Sequence, residues 1–338
     1  MRFPFRILFL AALSFPLACQ GVAETESDDT VQTRAEPLEG ARGCEDPRTQ
    51  IVLPGPRVYP EGVTVTPDGT FYAGSMGTGA IVRVRPGASV AEPFVSPRNN
   101  FGVYGLVVDA RKHTLWACTV DDGLLPAQST YLHGYNLSTG ALEQSYALPG
   151  VDGFCNDLTL DRRGNLYATD SLAQTVVTLP AGGHQVVTWA SGPLFGGDPG
   201  RVTANGIVLD KSRNRLLVGN MFKNTIIAVP LRGDGRPGEA TVLEIEPPVV
   251  APDGIEFVDD DTLVIPSFSA GTVTLVRLTD HGRRGVSRII ASGLAQPATA
   301  AVYRGSAWVA VSQGFELGEG ERPDLPFIIK RIPLPAFE

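Results

Sequence analysis

The chain has 338 residues, of which 43% are hydrophobic and only 19% are charged, and it contains 38 glycines and 27 prolines. This composition is typical of many short strands joined by tight turns, and it argues against a helical bundle. The formal net charge is -8 and the sequence contains no basic cluster. Nucleic acid is therefore not expected as a partner.

The first residues have the pattern of an export signal. Arg2 and Arg6 precede an apolar run that extends to Ala18, and this run is too short to cross a bilayer. We predict that residues 1–19 are a signal peptide. The mature protein is then expected to be periplasmic, anchored at an outer membrane, or secreted.

The segment after the signal suggests how the protein is attached to a membrane. Cys19 follows the apolar run, and residues 20–45 are polar and lack an apolar period. This pattern resembles a bacterial lipoprotein start, with a lipid on Cys19 as the only membrane contact and a flexible tether behind it. Ordinary cleavage after Ala18 or Ala23 is the alternative. Residues 46–338 remain for the folded domain.

Three further cysteines follow Cys19, namely Cys44, Cys118 and Cys155. In an oxidising compartment they permit one disulfide and one free thiol, and the sequence leaves the pairing open. They are not closely spaced and no spaced histidines accompany them. A structural zinc site is therefore not predicted.

Six stretches of the chain share one pattern, in which a first residue, here called the head, opens a run of alternating apolar residues. The heads recur roughly every 43 to 52 residues, which is the length of a four-stranded propeller blade. Two weaker copies begin at Tyr104 and Pro297. The polar heads are Glu61, Asn156, Asn205 and Asp253. The repeat predicts an all-β, six-bladed β-propeller with four-stranded antiparallel blades.

The last repeat lacks an outer strand, because the chain ends soon after its third strand, Phe327–Arg331. Gln50–Leu53 is apolar, precedes the first head and belongs to no blade of its own. We predict that it pairs with Phe327–Arg331 and closes the ring. Closure removes the two free sheet edges that the first and last blades would otherwise leave.

The heads are expected to meet, because the first strand of each propeller blade is innermost. All four polar heads offer oxygen, and hard oxygen ligands favour calcium or magnesium over zinc or copper. Calcium takes about six to eight oxygens, so positions remain for water or substrate. We predict one divalent cation, with calcium preferred and magnesium, manganese or zinc as alternatives. Its ligands are Glu61, Asn156, Asn205 and Asp253.

Asp-Gly and Asn-Gly pairs are also common turn residues. Asp68, Asp161 and Asp210 are interpreted in that way, because they follow their strands and enter hairpins. The polar heads differ, because they precede their strands at the same phase of the repeat, and two carboxylates on the axis would repel each other without a metal. Asp157, beside Asn156, is a further candidate near the metal; otherwise it hydrogen-bonds its own loop.

These heads resemble the metal ligands of the senescence marker protein/gluconolactonase family, whose relatives include paraoxonase, diisopropyl fluorophosphatase and strictosidine synthase-like propellers. The resemblance covers about residues 55–332. It matches the family's metal glutamate to Glu61, the asparagines of its Asn-Asp and Asn-Gly motifs to Asn156 and Asn205, and its Asp-Gly aspartate to Asp253. It implies a calcium-type metal and hydrolysis of lactones or phosphoesters.

Two departures from the family pattern concern the substrate. Sugar-lactone members carry an arginine two residues before the first metal asparagine, where this chain has Phe154. Paraoxonases use a histidine dyad near the metal, and no histidine here is a head. We therefore predict a small-molecule substrate that is a more apolar lactone or ester than gluconolactone. Besides Phe154, the residues predicted to contact it are Leu124, Leu125, Leu194 and Phe195.

Two functions remain open from the sequence. The first is hydrolysis of a lactone or related ester, in which the metal polarises the carbonyl, water attacks, and Asp253 takes the proton, with Asp157 as the reserve base. The second is a non-catalytic, envelope-anchored binding module whose metal only holds the blades together. A monomer is expected in either case.

Overall fold

The computed structural model describes residues 46–98, 101–121, 129–150 and 152–337. The predicted signal peptide, the tether and Cys44 lie outside these residues. The described residues form a six-bladed β-propeller, as the repeat predicts.

Successive strands of a blade follow one another along the chain, from the innermost strand outward. A short strand, β1 (Gln50–Leu53), precedes the first blade. Blade one contains β2 (Pro60–Val65), β3 (Phe71–Ser75), β4 (Ile81–Val84) and β5 (Glu92–Val95); blade two contains β6 (Phe101–Asp109), β7 (Thr114–Asp121), β8 (Thr130–Asn136) and β9 (Leu142–Ala147). Blade three contains β10 (Cys155–Leu160), β11 (Leu166–Asp170), β12 (Thr175–Leu179) and β13 (Val187–Ser191); blade four contains β14 (Ala204–Asp210), β15 (Arg215–Asn220), β16 (Thr225–Pro230) and β17 (Thr241–Val242).

Blades five and six depart from this plan at their outer edges. In blade five, β18 (Glu244–Glu246) adds a parallel strand outside β22. The four antiparallel strands of blade five are β19 (Glu256–Phe257), β20 (Thr262–Ser267), β21 (Thr272–Thr279) and β22 (Arg284–Ala291), and those of blade six are β23 (Pro297–Tyr303), β24 (Ser306–Val311), β25 (Phe327–Pro333) and β1.

Two short helices occur within the described residues. A 3₁₀ helix, Asp280–Gly282, connects β21 to β22, and α1, Gly314–Glu319, lies in the long connection from β24 to β25. No helix in the described ranges is long and apolar enough to cross a bilayer.

The predicted ring closure is confirmed. β1 runs antiparallel to β25, with Ile51 opposite Ile329 and Leu53 opposite Phe327. The side chains of Ile51 and Leu53 are fully buried. Just before β1, the guanidinium of Arg48 lies 4.8 Å from the ring centroid of Trp308, which ties the start of the domain to blade six as well.

The hydrophobic core lies between the blades. The buried apolar side chains of the described residues form one cluster at each junction of neighbouring blades. Because most strands are covered on both faces, their sequences are nearly continuous apolar runs, as in β15, whose residues are all buried. These cores fix the blades around the axis and so fix the positions of the heads.

The structure also decides the cysteine pairing that the sequence leaves open. Cys118 in β7 forms a disulfide with Cys155, the first residue of β10. The bond joins blade two to blade three, directly before the head Asn156.

Candidate metal centre

The innermost strand of each blade contains a bulge at its head. Between Pro60 and Val63, β2 advances by three residues while its partner β3 advances by two. The same shift occurs in β6, β10, β14 and β23, and in blade five it falls between the bridge at Pro252 and the start of β19. A bulge re-aims side chains out of the regular ladder. In this propeller it turns the heads towards the axis.

Glycines beside the heads let neighbouring first strands touch. A Cβ atom at Gly62 would collide with the carbonyl oxygen of Tyr104, and one at Gly206 would collide with that of Asp253. The amide of Gly206 donates a hydrogen bond of 3.0 Å to the same carbonyl of Asp253. Backbone contact between blades therefore holds the heads at a fixed spacing.

The four polar heads line one cavity of about 650 Å³, called the head cavity below. Their side chains are buried, with between 2% and 5% of their surface exposed. The structure thus brings together all the residues that the sequence predicts as metal ligands, namely Glu61, Asn156, Asn205 and Asp253.

Three side-chain oxygens in this group are buried without any hydrogen-bond partner: Oε2 of Glu61, Oδ1 of Asn156 and Oδ1 of Asn205. Leaving such an atom unsatisfied costs about 1–3 kcal/mol, so native structures rarely do it. The amide nitrogen Nδ2 of Asn205 donates to Sδ of Met221 at 3.8 Å, which leaves its oxygen for another ligand. This set of oxygens fits a hard divalent cation.

The charges at the heads also fit a bound divalent cation. Burial raises the pKa of Glu61 well above its usual range, and the charges of Asp253 and Asp157 raise it further. Burial and the charge of Asp157 likewise raise the pKa of Asp253, against a hydrogen bond from Asn205. No basic side chain contributes to either shift, and a cation would supply the missing opposite charge.

A cation in the head cavity would depend on the two asparagine amides. Within the described ranges, no group of three or more histidine, cysteine, aspartate or glutamate side chains is placed to hold a metal. Glu61 and Asp253 contribute two carboxylates, and Asn156 and Asn205 contribute the remaining oxygens. Neutral oxygen ligands of this kind are common for calcium and uncommon for zinc.

The walls of the head cavity are largely apolar and aromatic. Tyr104, the head of blade two, and Phe154 are both buried, and their ring centroids lie 4.6 Å apart. Burial and the charge of Glu61 raise the pKa of Tyr104, so its phenol stays protonated at neutral pH. Phe268 and Phe315 form an edge-on pair at 5.3 Å, and both also line the cavity.

Two of the predicted substrate contacts are wrong. Phe195 is buried in the core between blades three and four, and Leu194 packs against the same core instead of the head cavity. Their loop turns inward because it can bury two large apolar side chains there. The loop residues that do line the cavity include Phe222, Val250 and Phe315. Leu124 and Leu125 lie outside the described residues.

Asp157 lies close enough to Glu61 and Asp253 for its charge to raise their pKa values, but it does not line the head cavity. It lines a second cavity of about 390 Å³, called the opposite cavity below, together with Glu256 and no head. Its carboxylate accepts hydrogen bonds from the backbone amides of Leu158 at 2.8 Å and Ile207 at 3.0 Å. Asp157 therefore joins blade three to blade four, and it lines the opposite cavity instead of the head cavity.

The sequence up to the third strand of blade one contains a family signature. A family model for the N-terminal part of strictosidine synthase-like proteins matches residues 48–84. The resemblance predicted from the sequence is thereby confirmed. The matched residues extend from just before β1 to the end of β4 and include Glu61. No curated protein matches the sequence significantly.

Solved structures with the same fold include enzymes and a protein known as an allergen. The major allergen Mala s 1 of Malassezia sympodialis aligns with a TM-score of 0.67 at 17% identity, covering 86% of this chain and 98% of its own. Virginiamycin B lyase from Staphylococcus aureus aligns with a TM-score of 0.58 at 16% identity, covering 85% and 88%. A luciferin-regenerating enzyme aligns with a TM-score of 0.58 at 11% identity, covering 83% and 94%. These likenesses establish the shared propeller fold.

Proposed function

We propose that this protein is a metal-dependent hydrolase of apolar lactones or related esters, with calcium as the preferred cation. The observation that supports this most is the group of three unpaired, buried oxygens at the heads of blades one, three and four, within an apolar cavity of about 650 Å³ that Asp253 also lines. Cavities of this size enclose a small organic molecule. A lyase and a luciferin-regenerating enzyme share the propeller fold, so the proposed reaction class rests on the site rather than on the fold.

The residues of this site have separate roles in the proposed ester hydrolysis. Glu61, Asn156, Asn205 and Asp253 would hold the cation. When bound there, the cation would polarise the carbonyl of the substrate and stabilise the negative charge that develops on its oxygen. Asp253, one of the two head carboxylates that line the cavity, would accept the proton of the attacking water.

The cavity walls orient the substrate and exclude water. Phe154 occupies the position at which sugar-lactone members of the family have an arginine, and it offers no partner for sugar hydroxyls. Phe268 and Phe315 add apolar surface on the wall built by blade five and α1. Aliphatic or aromatic lactones are expected to react faster than gluconolactone, and Phe154→Arg is expected to shift that preference towards gluconolactone.

The test is a turnover assay on the purified protein with aliphatic lactones, aromatic lactones and gluconolactone, before and after chelation. We expect turnover to disappear with chelator and to return with calcium, while circular dichroism shows that the fold persists. Performing the reaction in water labelled with heavy oxygen separates hydrolysis from a lyase reaction, because only hydrolysis places the label in the product acid. Turnover that ignores chelation, or unlabelled product, would contradict the proposal.

A structural metal without catalysis is the second candidate. It is favoured by one observation, the direct backbone contact between head strands of neighbouring blades at Gly206 and Asp253, which a cation on the axis would reinforce. In that case chelation lowers the melting temperature strongly, and none of the tested esters reacts. Binding of a cation alone therefore does not distinguish the two functions, whereas the paired assay of folding and turnover does.

A further inference from the structure

The head cavity contains one cationic residue that the proposed reaction does not use. Among the described residues that line the cavity, Arg201 alone carries a positive side chain. It lies in the connection from β13 to β14 and is exposed to solvent. Its guanidinium forms no ion pair and no hydrogen bond with the part of the chain that the structure describes.

Other arginines of this protein are paired. Arg48, Arg83 and Arg215 each pair with a carboxylate at 2.6 to 2.8 Å. The two carboxylates of the head cavity, Glu61 and Asp253, are buried at the heads, and no basic residue influences their pKa values. The guanidinium of Arg201 pairs with neither of these carboxylates, and neutral residues such as Val202 and Phe222 line the same cavity.

We propose that Arg201 binds an anionic group at the far end of the substrate. The substrate is then amphipathic, with its lactone or ester carbonyl at the heads, an apolar body along the walls, and a carboxylate, phosphate or sulfate at Arg201. An arginine forms paired hydrogen bonds with such groups. In a chain of net charge -8, a local cation is needed to attract an anion. The assignment of the carbonyl end rests on the proposed function.

A pair of substrates of equal chain length tests this in turnover. The mono-para-nitrophenyl ester of sebacic acid has a terminal carboxylate, whereas para-nitrophenyl decanoate ends in a methyl group. Arg201→Gln is expected to raise KM about three- to tenfold for the charged ester alone, as expected for one charge-assisted contact. Arg201→Lys should recover part of the loss. Arg322→Gln is the matched control, because Arg322 is also exposed and unpaired within the described residues but does not line the cavity.

A binding measurement separates this proposal from the hydrolase proposal. Dansylaminoundecanoic acid and its methyl ester report binding by fluorescence, and with chelator present no cation at the heads can capture the carboxylate. We expect the acid to bind the unmodified protein more tightly than the Arg201→Gln variant, with the difference shrinking at high salt. The methyl ester should not distinguish the two proteins.

The two proposals fail in different ways. If neither ester reacts with any variant, but the acid still needs Arg201 for binding, the hydrolase proposal is wrong and the anion site stands. If Arg201→Gln binds the acid as tightly as the unmodified protein does, the anion site is wrong, whether or not esters are hydrolysed.

A second inference follows from an independent contact beside the metal ligands. Nδ2 of Asn205 donates to Sδ of Met221 at 3.8 Å, while Oδ1 of Asn205 is buried without a partner. Met221 is itself fixed, because its backbone amide donates to the carbonyl of Thr203 at 2.9 Å. The geometry points to Met221 as a positioning residue that, together with the hydrogen bond from Asn205 to Asp253, keeps the amide oxygen of Asn205 turned towards the cation.

Met76 offers a matched control for this contact. It lines the same cavity, and its sulfur takes part in no hydrogen bond within the described residues. Calcium affinity measured by titration calorimetry should fall about three- to tenfold in Met221→Leu, the size expected for one hydrogen bond, and should not change in Met76→Leu. Met221→Gln restores an acceptor oxygen and should recover affinity. Equal affinities of Met221→Leu and Met76→Leu, or no recovery with Met221→Gln, would overturn this role.

Discussion

The two cavities of the propeller differ in how the buried oxygens that line them are hydrogen-bonded. In the opposite cavity, two backbone amides bind the carboxylate of Asp157, and burial raises its pKa to about 6. Glu256 lies in the same cavity, where burial and the charge of Asp157 raise its pKa to about 7. In the head cavity, Glu61 has an oxygen with no partner, as do both asparagine heads.

This difference shows that burial alone does not mark a ligand site. Both cavities raise the pKa of their acids through desolvation, yet the carboxylate of Asp157 is satisfied by the chain itself. Glu61, Asn156 and Asn205 each keep one buried oxygen without a partner, so of the two cavities only the head cavity is left with oxygens that need an external cation. The predictions below separate the two cavities, or test the elements that hold the heads in place.

The largest expected effect separates Asp253 from Asp157. Asp253→Asn keeps the shape and an oxygen ligand but removes the base, so turnover should fall roughly 10²- to 10⁴-fold even at saturating calcium. Asp157→Asn should lower stability and leave turnover per folded molecule nearly unchanged at saturating calcium. Rates are measured against calcium concentration for both variants, with Asn205→Asp as a further comparison. Full rescue of Asp253→Asn at high calcium would show that Asp253 is a ligand only.

Removing the disulfide should have the next largest effect. The Cys118→Ala/Cys155→Ala variant loses a link across 37 residues, and its free energy of unfolding should fall by about 2–4 kcal/mol. Calcium affinity should fall too, because Cys155 directly precedes Asn156. Urea denaturation with and without reductant measures the first effect and calorimetry the second. Denaturation midpoints that coincide for the two proteins would contradict the prediction.

The close approach of head strands can be tested with a single methyl group. Gly206→Ala places a Cβ against the carbonyl oxygen of Asp253 and should cost about 1–3 kcal/mol of stability, the usual size for overpacking, together with calcium affinity. Gly233→Ala is the control, because a Cβ there meets no atom within 4 Å. Equal melting temperatures of the two variants would mean that the head strands can separate without penalty.

The smallest effect concerns a buried titratable group that lines neither cavity. Burial lowers the pKa of His133 to about 4, and its Nδ1 lies 3.0 Å from Oγ1 of Thr119. His133 therefore binds a proton near pH 6.5 in the unfolded chain but only near pH 4 in the folded protein. The free energy of unfolding consequently falls as the pH drops from about 6.5 to about 4. Between pH 7 and pH 5.5 the loss should be about 1 kcal/mol.

His133→Gln isolates this contribution, because the acids of the two cavities titrate equally in both proteins. The difference in unfolding free energy between His133→Gln and the unmodified protein should change across that window in favour of the variant. A difference that is constant with pH would show that His133 titrates normally in the fold.

The fold could be predicted from the sequence because it follows from the repeat. The alternation of apolar residues and the spacing of heads such as Glu61 and Asn205 predict the six blades. The missing outer strand of the last copy predicts that β1 closes the ring. Those features are local or periodic, so no knowledge of the tertiary structure was needed to read them. The cysteine pairing was different, since it depends on which strands of neighbouring blades face each other.

The site was predicted less completely, for two physical reasons. Successive side chains of a strand point to opposite sides, which could have separated Asp157 from its neighbour Asn156 in the sequence. Loop directions have no such period. Phe195 therefore could not be assigned to the core, nor could Arg201 and Phe315 be assigned to the cavity, before the packing of the blades was known.

A crystal structure of the protein grown with calcium decides where a cation binds. We predict one calcium in the head cavity, about 2.3–2.6 Å from carboxylate oxygens of Glu61 and Asp253 and from Oδ1 of Asn156 and Asn205. The opposite cavity is predicted to hold none, because Asp157 already has its partners. A calcium bound only by Asp157 and Glu256, or heads without calcium at saturating concentration, would contradict the assignment of the heads as the metal site.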